Sequence, residues 1–122
     1  MATIVIADDD NDVCELLAFM LERDGHTVID VHDGEMVFPL VEKEKPDLVI
    51  LDVMMPNLDG YSVASKLYEN LETKKIPIIV LTAKEKTKEL FQALSNVALY
   101  VNKPFEPAVL RTMVREVLER KK

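Results

Sequence analysis

Five short apolar runs recur along the chain: Ile4-Val5-Ile6, Val28-Ile29, Leu48 to Leu51, Ile78 to Leu81, and Leu99-Tyr100-Val101. The third and fourth are unbroken, the pattern of strands covered on both faces of a sheet. The segments between them carry apolar residues at helical spacing instead. Val13, Leu16, Leu17, Met20 and Leu21 mark the first, which stops short of Gly25. Met36, Val37, Leu40 and Val41 mark the second, closed ahead of Pro46. Ala64, Leu67, Tyr68 and Leu71 mark the third, closed ahead of Pro77, and Leu90, Ala93 and Leu94 a weaker fourth. Leu110, Met113, Val114, Val117 and Leu118 mark the last, with Pro107 suited to its first turn. Strands alternating with helices predict right-handed crossovers and a parallel sheet with helices on both faces, a doubly wound α/β fold.

The 122 residues suit one domain, and no linker, repeat or low-complexity tract divides them. Only Glu119-Arg120-Lys121-Lys122 reads as a fraying end. A net charge of -7 argues against direct binding to nucleic acid. No stretch approaches the roughly 20 apolar residues of a membrane span, and Met1-Ala2-Thr3 lacks the basic start of a signal peptide. The lone Cys14 cannot form an internal disulfide, which fits a reducing compartment. A cytoplasmic protein that does not enter the membrane is expected.

In an open parallel sheet, ligands bind beyond the carboxyl ends of the strands, near the point where strand order reverses. Four of the five strands carry a notable polar group there: Asp8-Asp9 after the first, Asp52 at the end of the third, Thr82 after the fourth, and Lys103-Pro104 after the fifth. Each has an ordinary explanation taken alone, since aspartate caps helices and threonine favours turns; Asp10, Asn11 or Asp12 is suited to capping the first helix. Together they crowd three carboxylates onto one edge. Such a cluster calls for positive charge, and a hard, partly hydrated divalent cation such as Mg²⁺ suits oxygen ligands. Lys103 adds a fixed charge and Thr82 a hydroxyl donor. The only glycines, Gly25, Gly34 and Gly60, form neither a P-loop nor a dinucleotide fingerprint. His26 and His32 lack partners at metal-ligand spacing, and Cys14 falls in helical register with Leu17 and Leu21 as a small buried apolar residue.

Asp8-Asp9, the stretch from Leu51 to Gly60, Leu81-Thr82-Ala83 and Lys103-Pro104-Phe105, in this order and spacing, resemble the receiver domain of two-component response regulators over residues 1–122. The resemblance implies a flavodoxin-like (βα)5 fold with strand order 2-1-3-4-5. It implies a signalling domain and not an enzyme in the usual sense, although it catalyses its own phosphorylation and dephosphorylation. Asp52 corresponds to the phosphoacceptor, which takes its phosphoryl group from a histidine kinase or phosphotransfer protein. Asp9 corresponds to a direct Mg²⁺ ligand and Asp8 to one acting mainly through water, with the Asp52 carboxylate and the Met54 backbone carbonyl completing the set. Thr82 and Lys103 correspond to the residues that contact the phosphoryl group, and members usually hold the bond before the matching proline in cis. Tyr100 corresponds to the aromatic switch residue that relays the signal to the surface of helix 4, strand 5 and helix 5, where an effector domain or target protein reads it. An aspartate-nucleophile phosphatase usually carries a second aspartate two residues on, where Met54 stands. A pseudo-receiver used only for docking has no need of the full polar set.

The departures from the family pattern are local. Asn96 stands where a glycine is common and is expected to take its left-handed conformation. Met54 and Lys84 occupy the two positions flanking the path of the hydrolytic water, which implies a long-lived phosphorylated state. Val97, Ala98, Leu99, Val109 and Met113 replace charges used for dimerisation by winged-helix transcription factors. A phosphorylation-dependent homodimer of this chain is expected to use that apolar surface, extended by Phe91 and Tyr100, in place of ion pairs.

Overall fold

The computed structural model describes residues 1–82 and 88–120, apart from the side chains of Lys88 and Leu90. Strand and helix alternate throughout: β1 (Thr3–Ala7), α1 (Asn11–Arg23), β2 (Thr27–Val31), α2 (Gly34–Glu44), β3 (Leu48–Asp52), α3 (Gly60–Glu69), β4 (Ile78–Thr82), α4 (Lys88–Phe91), β5 (Val97–Asn102) and α5 (Pro107–Arg120). All strands are parallel, in the order β2-β1-β3-β4-β5, as the resemblance implied.

The unbroken apolar runs are central because alternate residues face opposite layers. Val5, Ala7, Val49, Leu51, Ile78 and Val80 pack with Val37 and Val41 of α2 and Val63 and Leu67 of α3. Ile4, Ile6, Leu48, Ile50, Ile79 and Leu81 point the other way, onto Leu17 and Leu21 of α1 and Leu110, Val114 and Val117 of α5. Each Val, Leu or Ile side chain withdrawn from water stabilises the fold by about 1.5 to 3 kcal/mol. The central strands β3 and β4 are buried end to end, whereas β2, on the sheet edge, buries only Val31 and exposes Thr27 and Asp30.

Several helical expectations need correction. Leu16 and Met36 face solvent, because the buried stripes are narrower than the apolar pattern: Cys14, Leu17 and Leu21 on α1, and Gly34, Val37 and Val41 on α2. Leu71 lies beyond α3 and is exposed, since Asn70 ends the helix and its side chain accepts from the Glu72 N–H in a turn. The described α4 is a single turn, so Ala93 and Leu94 follow it, and Leu94 still buries its side chain. Asn96 is not left-handed: among described non-glycine residues only Lys45 and Asn57 have positive φ. Asn96 is instead buried, and its amide donates to the Ala64 carbonyl at 3.3 Å, tying the start of β5 to α3. Glu119 and Arg120 belong to α5 and are not frayed, while Lys121 and Lys122 lie outside the described residues.

Candidate functional site at the carboxyl edge of the sheet

Register brings the polar residues together. Ala7 pairs with Leu51, Asp52 with Leu81, and Thr82 with Asn102, so the residues that follow β1 and β5 emerge beside the ends of β3 and β4. Strand order reverses between β1 and β3, where a ligand crevice is expected. Carboxylate oxygens of Asp8, Asp9 and Asp52 lie within 4.8 Å of one another. Asp8 is fully buried, Asp52 is 5% exposed, and Asp9 faces solvent.

Lys103 enters this cluster from the end of β5. Its Nζ donates to Asp8 Oδ2 at 2.8 Å and stands 3.4 Å from Asp52 Oδ1. The Lys103 backbone N–H donates to the Thr82 carbonyl at 2.8 Å, and the Lys103–Pro104 peptide is cis. Burial acts to lower the pKa of the ammonium. The Asp8 bond and the charges of Asp52 and Asp8 outweigh it and leave the pKa raised. Asp52 is pushed up to about 6, chiefly by burial and then by the charge of Asp8. Lys103 and the Met54 backbone N–H pull the other way without reversing the shift. One ammonium therefore faces two buried carboxylates, with a third, exposed one beside them, a shortfall of positive charge at a set of hard oxygen donors. That donor set fits a divalent cation of the Mg²⁺ type.

Of the support beneath Asp8, the sequence showed Asp10 as a candidate cap for α1 but not the groups that hold the Asp8 peptide. Asp8 Oδ1 accepts the Asp10 N–H at 2.9 Å, and Asp10 caps α1 through the Asp12 and Val13 N–H groups. The Asp8 carbonyl accepts from His32 Nδ1 at 3.0 Å and from the Cys14 thiol at 3.3 Å. Spacing alone gives Cys14 a packing role and His32 a surface or packing role; both also hold the Asp8 peptide. Burial, and then the charge of Asp8, pushes the Cys14 thiol up to about 12, so it is a poor nucleophile. Cys14, Asp30 and His32 lie close enough to share an ion. The thiol and the imidazole Nδ1–H are already committed to one carbonyl, and the imidazole Nε2 to Asp30 at 3.0 Å.

Thr82 is buried at the end of β4. Tyr100 lies away from the carboxylates on β5, half-buried, with its ring edge-on to Phe91 at a centroid distance of 5.9 Å. Phe91 is only 1% exposed and also packs against Tyr61, so it belongs to the core and not to the apolar surface expected of it. Val109 is exposed on α5, and Val97, Ala98, Leu99 and Met113 are half-buried. Met54 exposes its side chain beside the cluster. Ala83 and Lys84 lie outside the described residues.

The family model for the response regulator receiver domain matches residues 4–115. The chain belongs to this family. It is 39% identical to the alkaline phosphatase synthesis transcriptional regulatory protein PhoP of Bacillus subtilis (strain 168), over 96% of this chain and 48% of PhoP. It is 34% identical to the protein PilH of Pseudomonas aeruginosa, over 97% of this chain and 98% of PilH. The receiver domain thus spans about half the length of PhoP and of several other curated relatives, and nearly all of PilH. The receiver domain of the Francisella response regulator 1452 superposes with a TM-score of 0.89 at 27% identity, with 100% of both chains covered. The receiver domain of a Pseudomonas aeruginosa PAO1 sensor histidine kinase, solved with a magnesium ion coordinated in its active site cleft, has a TM-score of 0.87 at 26% identity. It matches over 97% of this chain and 98% of its own. Among the described residues, no helix is long and apolar enough to cross a membrane.

Proposed function

We propose that residues 1–122 form one receiver domain in which Asp52 accepts a phosphoryl group from the phosphohistidine of a histidine kinase or phosphotransfer protein. The reading rests most heavily on Lys103 Nζ, which reaches both Asp8 and Asp52 inside a cluster of three carboxylates. Asp9, Asp52 and the Met54 carbonyl would hold Mg²⁺ directly, with Asp8 acting mainly through water. When bound, the cation neutralises charge on the phosphoryl oxygens. Asp52 presents a carboxylate oxygen in line with the phosphorus. The bond from phosphorus to that oxygen forms as the bond to the donor imidazole nitrogen breaks, and the imidazole leaves with the electron pair. Lys103 and the Thr82 hydroxyl contact the transferred group, where charge-assisted bonds count most in a water-poor site.

The consequence at the surface is a shift in a pre-existing equilibrium. Thr82 moves towards the new oxygens, Tyr100 follows, and the face made by α4, β5 and α5 changes for an effector domain or target protein. A homodimer of the phosphorylated form is held there by apolar contact. Met54, together with Lys84, slows hydrolysis of the acyl phosphate. A signalling role in the cytoplasm fits this chemistry. Incubation with acetyl phosphate and Mg²⁺ should add one phosphoryl mass to the intact protein. No mass gain, or an equal gain in excess chelator, contradicts the reading.

A further inference from the structure

The Met54 carbonyl sits on the β3–α3 loop, and its position depends on what holds that loop. At one end, the Gly60 N–H donates to the Val53 carbonyl at 2.8 Å, and a Cβ on Gly60 would stand 2.5 Å from the Asp52 carbonyl oxygen. The other anchor lies on a different element. The Gly34 N–H, at the first residue of α2, donates to the Pro56 carbonyl at 3.2 Å. The contact is too close for any side chain, since a Cβ on Gly34 would fall 1.7 Å from the Leu58 carbonyl oxygen. Beside it, Asn57 Nδ2 donates to Asp33 Oδ2 at 2.5 Å, while Asp33 Oδ1 caps α2 through the Glu35 N–H at 2.8 Å. Asn57 is held at φ 70, and the Leu58 N–H donates back to the Pro56 carbonyl at 2.8 Å. This is a γ-turn with a positive central φ, a rare and strained form that persists only where its surroundings enforce it.

Between the anchored Val53 and the anchored Pro56 there are only Met54 and Met55. We propose that Asp33, Gly34 and Asn57 are positioning residues: a clamp from the N-terminus of α2 fixes the Met54 carbonyl and thereby sets the affinity of the site for a divalent cation. The clamp rests on the Mg²⁺ reading above and deepens it. It also makes the start of α2 part of the cation site, although no side chain of α2 is a ligand.

Two substitutions that leave the charge unchanged test it. Gly34→Ala forces the loop away from α2, and Asn57→Gly keeps the backbone conformation while removing the side-chain bond to Asp33. Loss of partners outside the ligand shell typically costs about tenfold or more in metal affinity, so Gly34→Ala should weaken Mg²⁺ binding about tenfold and Asn57→Gly about threefold. Glycine also relieves the strain at position 57, so Asn57→Gly should hold or raise the melting temperature while it weakens binding. A residue with a merely structural role does not give that split. The exchanged pair Asp33→Asn with Asn57→Asp preserves net charge and rebuilds an amide–carboxylate bond, and it should bind within about twofold of the unaltered protein. In metal-free protein, amide hydrogen exchange at Leu58 should speed up in both single variants. Unchanged affinity in Asn57→Gly, or unchanged exchange, overturns the clamp whether or not Gly34→Ala folds. If the unaltered protein binds no Mg²⁺ while exchange responds as expected, the cation reading fails and the loop anchor alone stands.

Discussion

Asp52 and Asp24 are both aspartates facing a basic side chain, and their chemistry runs in opposite directions. Asp24, at the C-terminal end of α1, is gripped by Arg111 of α5 through two bonds of 2.6 and 2.5 Å near the surface. The hydrogen bond from Arg111 draws its pKa down. Asp52 faces Lys103 at 3.4 Å, yet burial and the neighbouring Asp8 push its pKa up to about 6. In the first pair a single carboxylate meets a guanidinium near the surface. The second shares one ammonium among several carboxylates out of water. The distance across a salt bridge therefore says little until burial and the number of charges sharing it are known.

The contrast breaks most sharply at Lys103. Lys103→Met keeps the aliphatic stem and removes the partner of the fully buried Asp8, which should destabilise the metal-free protein by about 3 kcal/mol in urea denaturation. A change of a few tenths would mean that Asp8 finds another partner. Next in size is Asp52→Asn. Between the ordinary carboxylate value and about 6, the folded protein keeps a proton on Asp52 that the unfolded chain has lost, so stability falls as pH rises through this window. The variant should gain up to about 3 kcal/mol at pH 7 without metal, and the gain should all but vanish near pH 4. A gain that persists in acid would assign it to something other than charge.

The two acidic residues after β1 divide along the same lines. Both oxygens of Asp8 are engaged, by Asp10 and Lys103, whereas Asp9 is exposed. Asp9→Ala should therefore lose the larger share of Mg²⁺ affinity, about tenfold. Asp8→Ala should lose less affinity, and equal losses in a calorimetric titration would remove the distinction. Smallest is Arg111→Ala at the matched surface pair. Because the folded pKa of Asp24 is depressed, its contribution is present at neutral pH and lost as pH falls through that lowered value. The melting temperature at pH 7 should hardly move, and the small loss should shrink further in high salt.

The strands were legible because a fully buried parallel strand leaves an unbroken apolar run, and the polar site because a parallel sheet gathers its strand ends on one edge. Helical faces were less legible. Apolar spacing does not separate the buried Leu17 from the exposed Leu16, or a helical residue from Leu71, which follows the turn at Asn70. Contacts between distant segments left no local trace. The Asp33–Asn57 bond spans 24 residues, as does the bond from His32 to the Asp8 carbonyl, and neither follows from periodicity. Gly34 was visible as a glycine, but the carbonyl that excludes any side chain there belongs to Leu58, on the β3–α3 loop.

The central claim is that Asp52 is the carboxylate that receives the phosphoryl group. Borohydride reduces an aspartyl phosphate to homoserine and leaves free carboxylates untouched, so trapping followed by peptide mass mapping reads the acceptor directly. After treatment with acetyl phosphate and Mg²⁺, homoserine should appear at position 52 alone, and Asp52→Asn should yield none. Homoserine at position 8 or 9 in the unaltered protein, or undiminished trapping in Asp52→Asn, would contradict the assignment.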